Sequence, residues 1–220
     1  DLVFTANNHS LDRREAGVLR TLDLLDWVGL AHVGTSRTVE ERDTLAPVID
    51  LGGIKVGFLA YTYDTNGIPL PAGKPWMVNV VPFNYGTPSL ALIENHVANL
   101  KARGAEIIVA TCHWGNEYET APQGFQKTAA RKLVAMGVDV VLGNHPHVLQ
   151  PIERVTTTTD QGEARQGWVI YSMGNFLSGM RKYPTAIGGL YYITLVRPAP
   201  GARAAVSNFK YVPTWVDKDP

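Results

Sequence analysis

The 220-residue sequence contains one cysteine, Cys112, and this scarcity excludes a fold held together by internal disulfide bonds. It also lacks any run of about 18 apolar residues, the length that spans a bilayer as a helix. The 20 basic and 20 acidic residues balance, and neither sign forms a stripe or a block. Nucleic-acid binding and a charged disordered tail are therefore not indicated. With 45% hydrophobic residues, the chain can bury a sizeable core.

The order of apolar patterns predicts an α/β fold. Apolar residues spaced three or four apart predict helices over residues 13–27, 89–103 and 123–136. Short runs rich in branched residues alternate with these helices over the first two-thirds of the chain, and the last third is mostly strand. This order predicts a mixed sheet, or two packed sheets, covered by helices in a single domain over residues 1–220. Asp1–Ala6 has the pattern of a strand from inside a domain, so we expect sequence upstream of Asp1.

Three histidine-bearing segments fall where predicted strands end: Ala6–His9, His113–Gly115 and Gly143–His147. The apolar runs before them read as buried strands. Because ligands of an α/β sheet collect at the carboxyl ends of its strands, we expect these segments to form one metal-binding rim. Imidazoles suit manganese, zinc or iron better than calcium or magnesium, which prefer oxygen ligands.

The pair His145 and His147 is the sharpest of these signals. In an extended chain, residues two apart point to the same side, so both imidazoles would face one cavity. Pro146 is expected to push His145 toward the extended region of backbone space. A His-x-His pair alone is as compatible with a structural role, and His113 at another strand end favours the metal interpretation.

Asn8 and His9 supply the third segment of the rim. The amide oxygen of Asn8 is a neutral metal ligand, and His9 is a candidate proton donor to a leaving oxygen. Asp12, three residues on, would hold the His9 imidazole in the required tautomer. The alternative is that Asn8, with Ser10, caps the following helix.

Further residues near these segments carry weaker predictions. Glu117 and Tyr118 follow His113 and either contact substrate or lie in a solvated loop. Asn175 either hydrogen-bonds a site histidine or serves a turn with Gly174. Cys112 is predicted to be a buried thiol that points away from the site. His96 is predicted to lie on a helix surface and Trp114 in the wall of the site. Ser36 is predicted to cap a brief helix.

Four motifs together resemble the CapA family of poly-γ-glutamate capsule-synthesis proteins, which belongs to the calcineurin-like metallophosphatase superfamily. The motifs are Ala6-Asn7-Asn8-His9-Ser10-Leu11-Asp12, His113-Trp114-Gly115-Asn116-Glu117-Tyr118, Gly143-Asn144-His145-Pro146-His147-Val148-Leu149-Gln150 and Tyr171-Ser172-Met173-Gly174-Asn175-Phe176. Their order and spacing match over nearly the whole chain. The resemblance implies a four-layer sandwich, with two mixed sheets packed face to face and helices outside.

The resemblance also implies a two-metal site and assigns residues to it. Asn8, His113 and His145 would hold one manganese, zinc or iron ion, His147 would hold the other, and His9 would be the general acid. Two such metals would polarise a phosphoryl oxygen and bind a nucleophilic hydroxide. The superfamily places an early Asp and a bridging carboxylate before the Asn-His segment, and in this chain they would lie upstream of Asp1. Without them, the second metal would be held weakly or not at all.

The functional expectation is a metal-dependent hydrolase of capsule biosynthesis that acts on a phosphoester or related bond. Its expected partners are an anionic polymer or phosphoester substrate and a membrane synthetase complex, with no nucleic acid. By resemblance it would act outside the cytoplasmic membrane on an N-terminal anchor. One alternative is a non-catalytic subunit that binds the polymer or the synthetase, which the missing carboxylates favour. Another is a small-molecule binding domain with the histidines as anion contacts.

Overall fold

The computed structural model describes residues 1–217, which form ten strands and four helices. The helices are α1 (Arg14–Trp27), α2 (Val39–Thr44), α3 (Ala91–Ala102) and α4 (Gly124–Met136). The strands are β1 (Leu2–Phe4), β2 (Ala31–Val33), β3 (Val48–Asp50), β4 (Lys55–Thr62), β5 (Ile107–His113), β6 (Val140–Asn144), β7 (Ile152–Thr158), β8 (Ala164–Ile170), β9 (Ile187–Val196) and β10 (Ala205–Trp215).

The centre of the molecule is a six-stranded mixed sheet in the order β3-β4-β5-β6-β8-β7. Its four middle strands run parallel, and the edge strands β3 and β7 pair antiparallel to their neighbours. Parallel strands are covered on both faces, which explains why β5 is buried along its length as far as Cys112. The carboxyl ends of β4, β5 and β6 therefore open onto the same edge of the sheet.

The two faces of this sheet are covered differently. Helices α3 and α4 pack on one face, where Leu100 and Leu133 are fully buried. A two-stranded ribbon of β9 and β10 covers part of the other face, and the ring of Phe209 lies 4.9 Å from that of Trp168. The β1–β2 pair forms a separate small sheet, with α1 packed against β2. The molecule is thus an α/β sandwich, and the predicted fold class is confirmed.

Several local predictions are wrong, for identifiable reasons. Ser36 does not cap α2; the side chain of Thr38 accepts the hydrogen bond from the Glu41 amide instead. Strands β7 and β8 form a hairpin at the edge of the sheet, where exposed residues need not be apolar. Within residues 1–217, no helix combines the length and apolar character needed to cross a membrane.

His96 is not a helix-surface residue as the sequence suggested. It is 2% exposed, and its Nδ1 lies 2.8 Å from the hydroxyl of Tyr61. Burial lowers the pKa of His96, and the nearby Asp43 carboxylate opposes this effect. The buried face of α3 comprises Ile93, His96, Val97 and Leu100. The spacing of this set is that of a helix stripe, so the periodicity already contained the correct answer.

Candidate metal centre

The three histidine segments meet at the carboxyl edge of the parallel strands. His113 is the last residue of β5 and pairs in register with Asn144, the last residue of β6. An open cleft of about 480 Å³ lies over this edge and is lined by Asn8, His9, His113 and His147, among others. The segments converge because parallel neighbours end side by side, while the chain after β1 delivers Asn8 from the smaller sheet.

Asn8 and His113 are in direct contact. The Asn8 Oδ1 atom lies 2.9 Å from His113 Nε2, although the two residues are 105 positions apart in sequence. The Asn8 amide Nδ2 donates to Asn66 Oδ1 at 2.9 Å, which fixes the oxygen of Asn8 toward the histidine. Two donors that each bind a transition metal at about 2.0–2.2 Å also lie roughly 3 Å apart. In this structure the two atoms form a hydrogen bond that His113 Nε2 donates, and their spacing is also compatible with two ligands of one cation.

His145 completes this group, but its backbone is not extended as predicted. Its φ is 99° and that of His147 is 60°, so both residues that flank Pro146 have left-handed backbone torsions. Residues other than glycine rarely adopt such torsions, and where they do so they cluster at functional sites. The imidazole of His145 lies with its centroid 4.9 Å from that of His113.

Gly143 explains why β6 can end in this way. A Cβ atom at this position would lie 1.9 Å from the carbonyl oxygen of Tyr171, so no other residue fits without moving the backbone. The Asn144 carbonyl then accepts a hydrogen bond from the Trp114 amide, at 3.0 Å. Trp114 itself is fully buried against Phe83 and Tyr171 and does not line the site, contrary to the prediction.

Burial keeps the two inner histidines uncharged. Desolvation, helped by the neighbouring imidazoles, lowers the pKa of His113 to about 3. Desolvation is also the main reason that the pKa of His145 falls to about 4, against an opposing effect of the Glu117 carboxylate. Both rings are therefore neutral near pH 7, which is the form that binds metal. The buried Nδ1 of His145 has no hydrogen-bond partner in the part of the chain that the structure describes.

His147 is oriented by the last motif. Its Nδ1 lies 3.0 Å from Asn175 Oδ1, and Asn175 in turn donates to the Thr185 carbonyl at 2.8 Å. The expected hydrogen bond between Asn175 and a site histidine is therefore present. It leaves His147 Nε2 as the nitrogen available to a ligand, as is common for metal-binding histidines. The ring of Tyr118 is 53% exposed and roughly parallel to that of His147, with centroids 6.3 Å apart.

His9 occupies the solvent side of the cleft. Its Nδ1 lies 2.9 Å from Asp12 Oδ2, as the spacing predicted, and its side chain is 64% exposed. Asn66 Nδ2 approaches the same nitrogen at the longer distance of 3.3 Å. Because the Asn66 amide cannot donate to a nitrogen that carries a proton, the shorter bond to the carboxylate defines the tautomer. Neither Asn8 nor Ser10 caps α1, so that alternative is excluded.

Three neutral atoms are the candidate donors for a transition-metal ion. They are Asn8 Oδ1, His113 Nε2 and the unpartnered Nδ1 of His145, a mixture of neutral oxygen and nitrogen donors. Among the described residues, however, no three His, Cys, Asp or Glu side chains are grouped so that they could hold a metal. The set therefore depends on an amide oxygen, which most sequence motifs for metal sites do not include.

Two residues of this site were missed by the sequence analysis. Asn66 accepts the hydrogen bond from the Asn8 amide and lies beside His9, and the ring of Tyr63 lies 4.7 Å from that of His145. Asn66 precedes Gly67 in a turn and has a φ of 52°. An Asn-Gly pair is typical of a turn, so no local pattern assigned Asn66 to a site.

Comparison with known proteins identifies the family. Residues 1–180 match the family model described as bacterial capsule synthesis protein PGA_cap. The chain belongs to the PGA_cap family. It is 30% identical over 183 residues to the PGA biosynthesis protein CapA of Bacillus subtilis (strain 168), a match that covers 80% of this chain and 43% of that protein. This confirms the resemblance to CapA proteins.

Two further matches extend the comparison. The capsule biosynthesis protein CapA of Bacillus anthracis is 27% identical over 174 residues, which cover 78% of this chain and 38% of that protein. This family member thus spans about two-fifths of the length of these curated relatives. A crystal structure of a hypothetical protein from Thermus thermophilus aligns with a TM-score of 0.43 and 12% identity over 90% of this chain and 81% of that one.

Proposed function

We propose that this member of the capsule-synthesis family is a metal-dependent hydrolase that acts on a phosphoester or related bond. The observation that carries the proposal is that Asn8 Oδ1 lies 2.9 Å from His113 Nε2, while the ring of His145, whose buried Nδ1 has no partner among the described residues, lies 4.9 Å from that of His113. A buried polar atom without a partner is costly, and a cation held there would remove that cost. The family membership supports a role in capsule synthesis, and we propose that it acts outside the cytoplasmic membrane on an anionic polymer or phosphoester.

The residues divide into metal-holding and proton-handling groups. Asn8, His113 and His145 would hold a manganese, zinc or iron ion, and His147 would hold a second. Such a metal supplies Lewis acidity toward a phosphoryl oxygen and lowers the pKa of water. The protein contributes neutral, desolvated imidazoles, which need lose no proton near pH 7 before they bind it.

His9 and Asp12 would handle the proton of the leaving group. The carboxylate of Asp12 would accept the Nδ1 proton of His9 and hold the ring in place. The Nε2 proton would then be available to a leaving oxygen in the cleft that His9 lines. Glu117 and Tyr118, which follow the His113 segment, remain our candidates for substrate contacts.

The test combines metal content with turnover of a chromogenic phosphodiester. A His113→Ala, His145→Ala double variant should lose both bound metal and activity. His9→Gln should keep the metal and lose about 10²–10⁴-fold in kcat, which is typical of a missing general acid. His32→Ala, at a histidine paired with Asp26 and outside the cleft, is the matched control and should change neither. Wild-type protein that holds metal but has no turnover would contradict the hydrolase proposal.

A second candidate is a non-catalytic subunit that keeps the fold and binds the polymer or the synthetase. The observation that favours it is that no three His, Cys, Asp or Glu side chains are grouped to hold a metal over residues 1–217. A site without carboxylates binds metal less tightly and does not supply a bridge between two ions. Metal binding at the histidines without turnover of any phosphoester would favour this candidate over the hydrolase.

A further inference from the structure

A second cleft lies at the other end of β6, away from the histidines. It has a volume of about 310 Å³ and lies between β8 with its partner β7 and the start of β10. Asp139, just before β6, lines this cleft, whereas His145 follows the opposite end of the strand. Six residues of strand at about 3.3 Å each separate the two ends by roughly 20 Å. The two clefts are therefore distinct sites.

Four ionisable groups line this cleft: Asp139, Arg154, Arg165 and Arg203. Arg165 has a structural role, since it donates to the carbonyls of Val134 and Gly137 at 2.7 Å each and to Asp139 Oδ1 at 2.8 Å. These bonds tie the end of α4 to the sheet. Arg165 is thus occupied by the protein itself, and most of its side chain is buried.

Arg203 and Arg154 are not occupied in this way. Arg203 reaches the same Asp139 oxygen at 3.1 Å, so one carboxylate oxygen serves two guanidinium groups, and the Arg203 side chain is 56% exposed. The guanidinium carbon of Arg154 lies 5.8 Å from the ring centroid of Trp168, its cross-strand neighbour. As far as the described chain extends, Arg154 has no carboxylate partner and Arg203 has only the shared one.

The chemistry of the lining therefore favours negative charge in a ligand. Three guanidinium groups and one carboxylate give the cleft a net formal charge of +2. Contact with the face of Trp168, which is itself packed on Phe209, restricts Arg154 before any ligand arrives. A preordered planar fork loses less entropy on binding than a free surface arginine does, and it matches the two oxygens of a carboxylate or phosphate.

We propose that this cleft is an oxyanion-binding site in which Arg154 and Arg203 hold a carboxylate or phosphate group over Trp168. The site uses no metal and no residue of the histidine cleft. The ligand would be an oxyanion, either free or attached to a polymer. The experiment below distinguishes a carboxylate from a phosphate. Asp139 and Arg165 position the site, because they hold Arg203 and the β6–β8 edge in place.

Titration calorimetry at constant ionic strength tests this proposal with two probes, inorganic phosphate and γ-linked triglutamate. Four proteins are compared: wild type, Arg154→Ala/Arg203→Ala, Arg20→Ala and His113→Ala/His145→Ala. Arg20 is an exposed arginine of α1, so it controls for the loss of a positive charge without touching the cleft. All four are treated with chelator first, so that metal does not contribute to the heat.

We expect wild type to bind at least one probe saturably, and the double arginine variant to bind it at least about tenfold more weakly. The Arg20 and histidine variants should bind like wild type. Binding of phosphate alone would assign the site to phosphate groups, and binding of triglutamate alone would assign it to carboxylates. The proposal is overturned if wild type binds neither probe, or if the double arginine variant binds as tightly as wild type.

Discussion

Ionisable side chains are removed from water at both ends of β6, but their charges are treated differently at the two ends. At the carboxyl end, desolvation lowers the pKa values of His113 and His145 so that both rings are neutral, although the Glu117 carboxylate opposes this at His145. At the amino end, Arg165 and Asp139 are also largely buried, yet they bond to each other. Removing ions from water is costly, so a group either loses its charge or finds a partner.

This contrast predicts ligands of opposite charge at the two ends. At the carboxyl end, a neutral imidazole nitrogen without a partner favours a cation. At the amino end, two guanidinium groups share one oxygen of Asp139, and the excess positive charge favours an anion. One strand thus separates the proposed metal site from the proposed oxyanion site.

The largest expected effect is a loss of stability when the buried pair of Asp139 and Arg165 is broken. Asp139→Asn would leave Arg165 buried beside a neutral amide, and the loss of one partner of a buried pair costs about 3–5 kcal/mol. Urea unfolding of the variant and wild type measures this loss. Glu106→Gln, which breaks the more exposed pair of Glu106 with Arg197, is the control and should have little effect. Equal losses for both variants would refute the distinction between a buried and an exposed pair.

The next largest expected effect is a loss of folding stability at acid pH, caused by His113 and His145. The folded pKa values of His113 and His145, about 3 and about 4, lie below the ordinary 6.5 of an unfolded histidine. Below pH 6.5 the unfolded chain therefore binds more protons, and stability falls as pH falls. In chelator-treated protein we expect a loss of at least about 1–2 kcal/mol from these residues between pH 7.5 and pH 5. Urea midpoints should shift less with pH in a His113→Gln/His145→Gln variant, and an identical shift would contradict the assignment.

A smaller effect is expected from the residue that orients His147. Asn175→Ala removes the oxygen 3.0 Å from His147 Nδ1, and loss of such a supporting bond typically weakens metal binding about 10–100-fold. Asn175→Asp keeps an oxygen acceptor at this position and should retain most of the affinity. Competition with a fluorescent chelator gives both affinities. If the alanine variant binds as wild type does, His147 is not a ligand held by this residue.

The smallest effect is expected at Asn66. Asn66→Ala removes the acceptor that fixes the Asn8 amide, a single hydrogen bond worth about 0.5–1 kcal/mol, or roughly twofold to fivefold in affinity. Asn208→Ala, on the exposed ribbon, is the matched control. The same chelator competition measures it. No change at Asn66 beyond that at Asn208 would show that Asn8 needs no support.

The position of the site followed from local sequence, whereas its geometry did not. His113 could be placed because β5 is a continuous apolar run and parallel strands end at one edge. The left-handed torsion of His145 and the close contact of Gly143 with Tyr171 occur together in the tertiary structure, and no local pattern reveals either. Pro146 favoured the extended form, and tertiary structure overrode that preference.

The arginine cleft shows the same limit more strongly. Arg154 and Trp168 are neighbours only because β7 and β8 pair in one register. Arg203 lies just before β10 and reaches the cleft from there. None of the three belongs to a motif. By contrast, the periodicity of α3 does predict that His96 is buried. The surface prediction was wrong because it followed from the polar side chain rather than from the position of His96 on the helix.

Nitrogen-15 NMR of the histidine rings during zinc titration tests the central claim most directly, namely that Asn8, His113 and His145 share one cation. Chelator-treated protein should give neutral imidazole signals for His113 and His145 at pH 7. We predict that His113 Nε2 and His145 Nδ1 shift together and saturate at one equivalent of zinc, while His32 and His96 stay unchanged. If saturating zinc leaves the signals of His113 and His145 in place, no shared metal exists and the account is wrong.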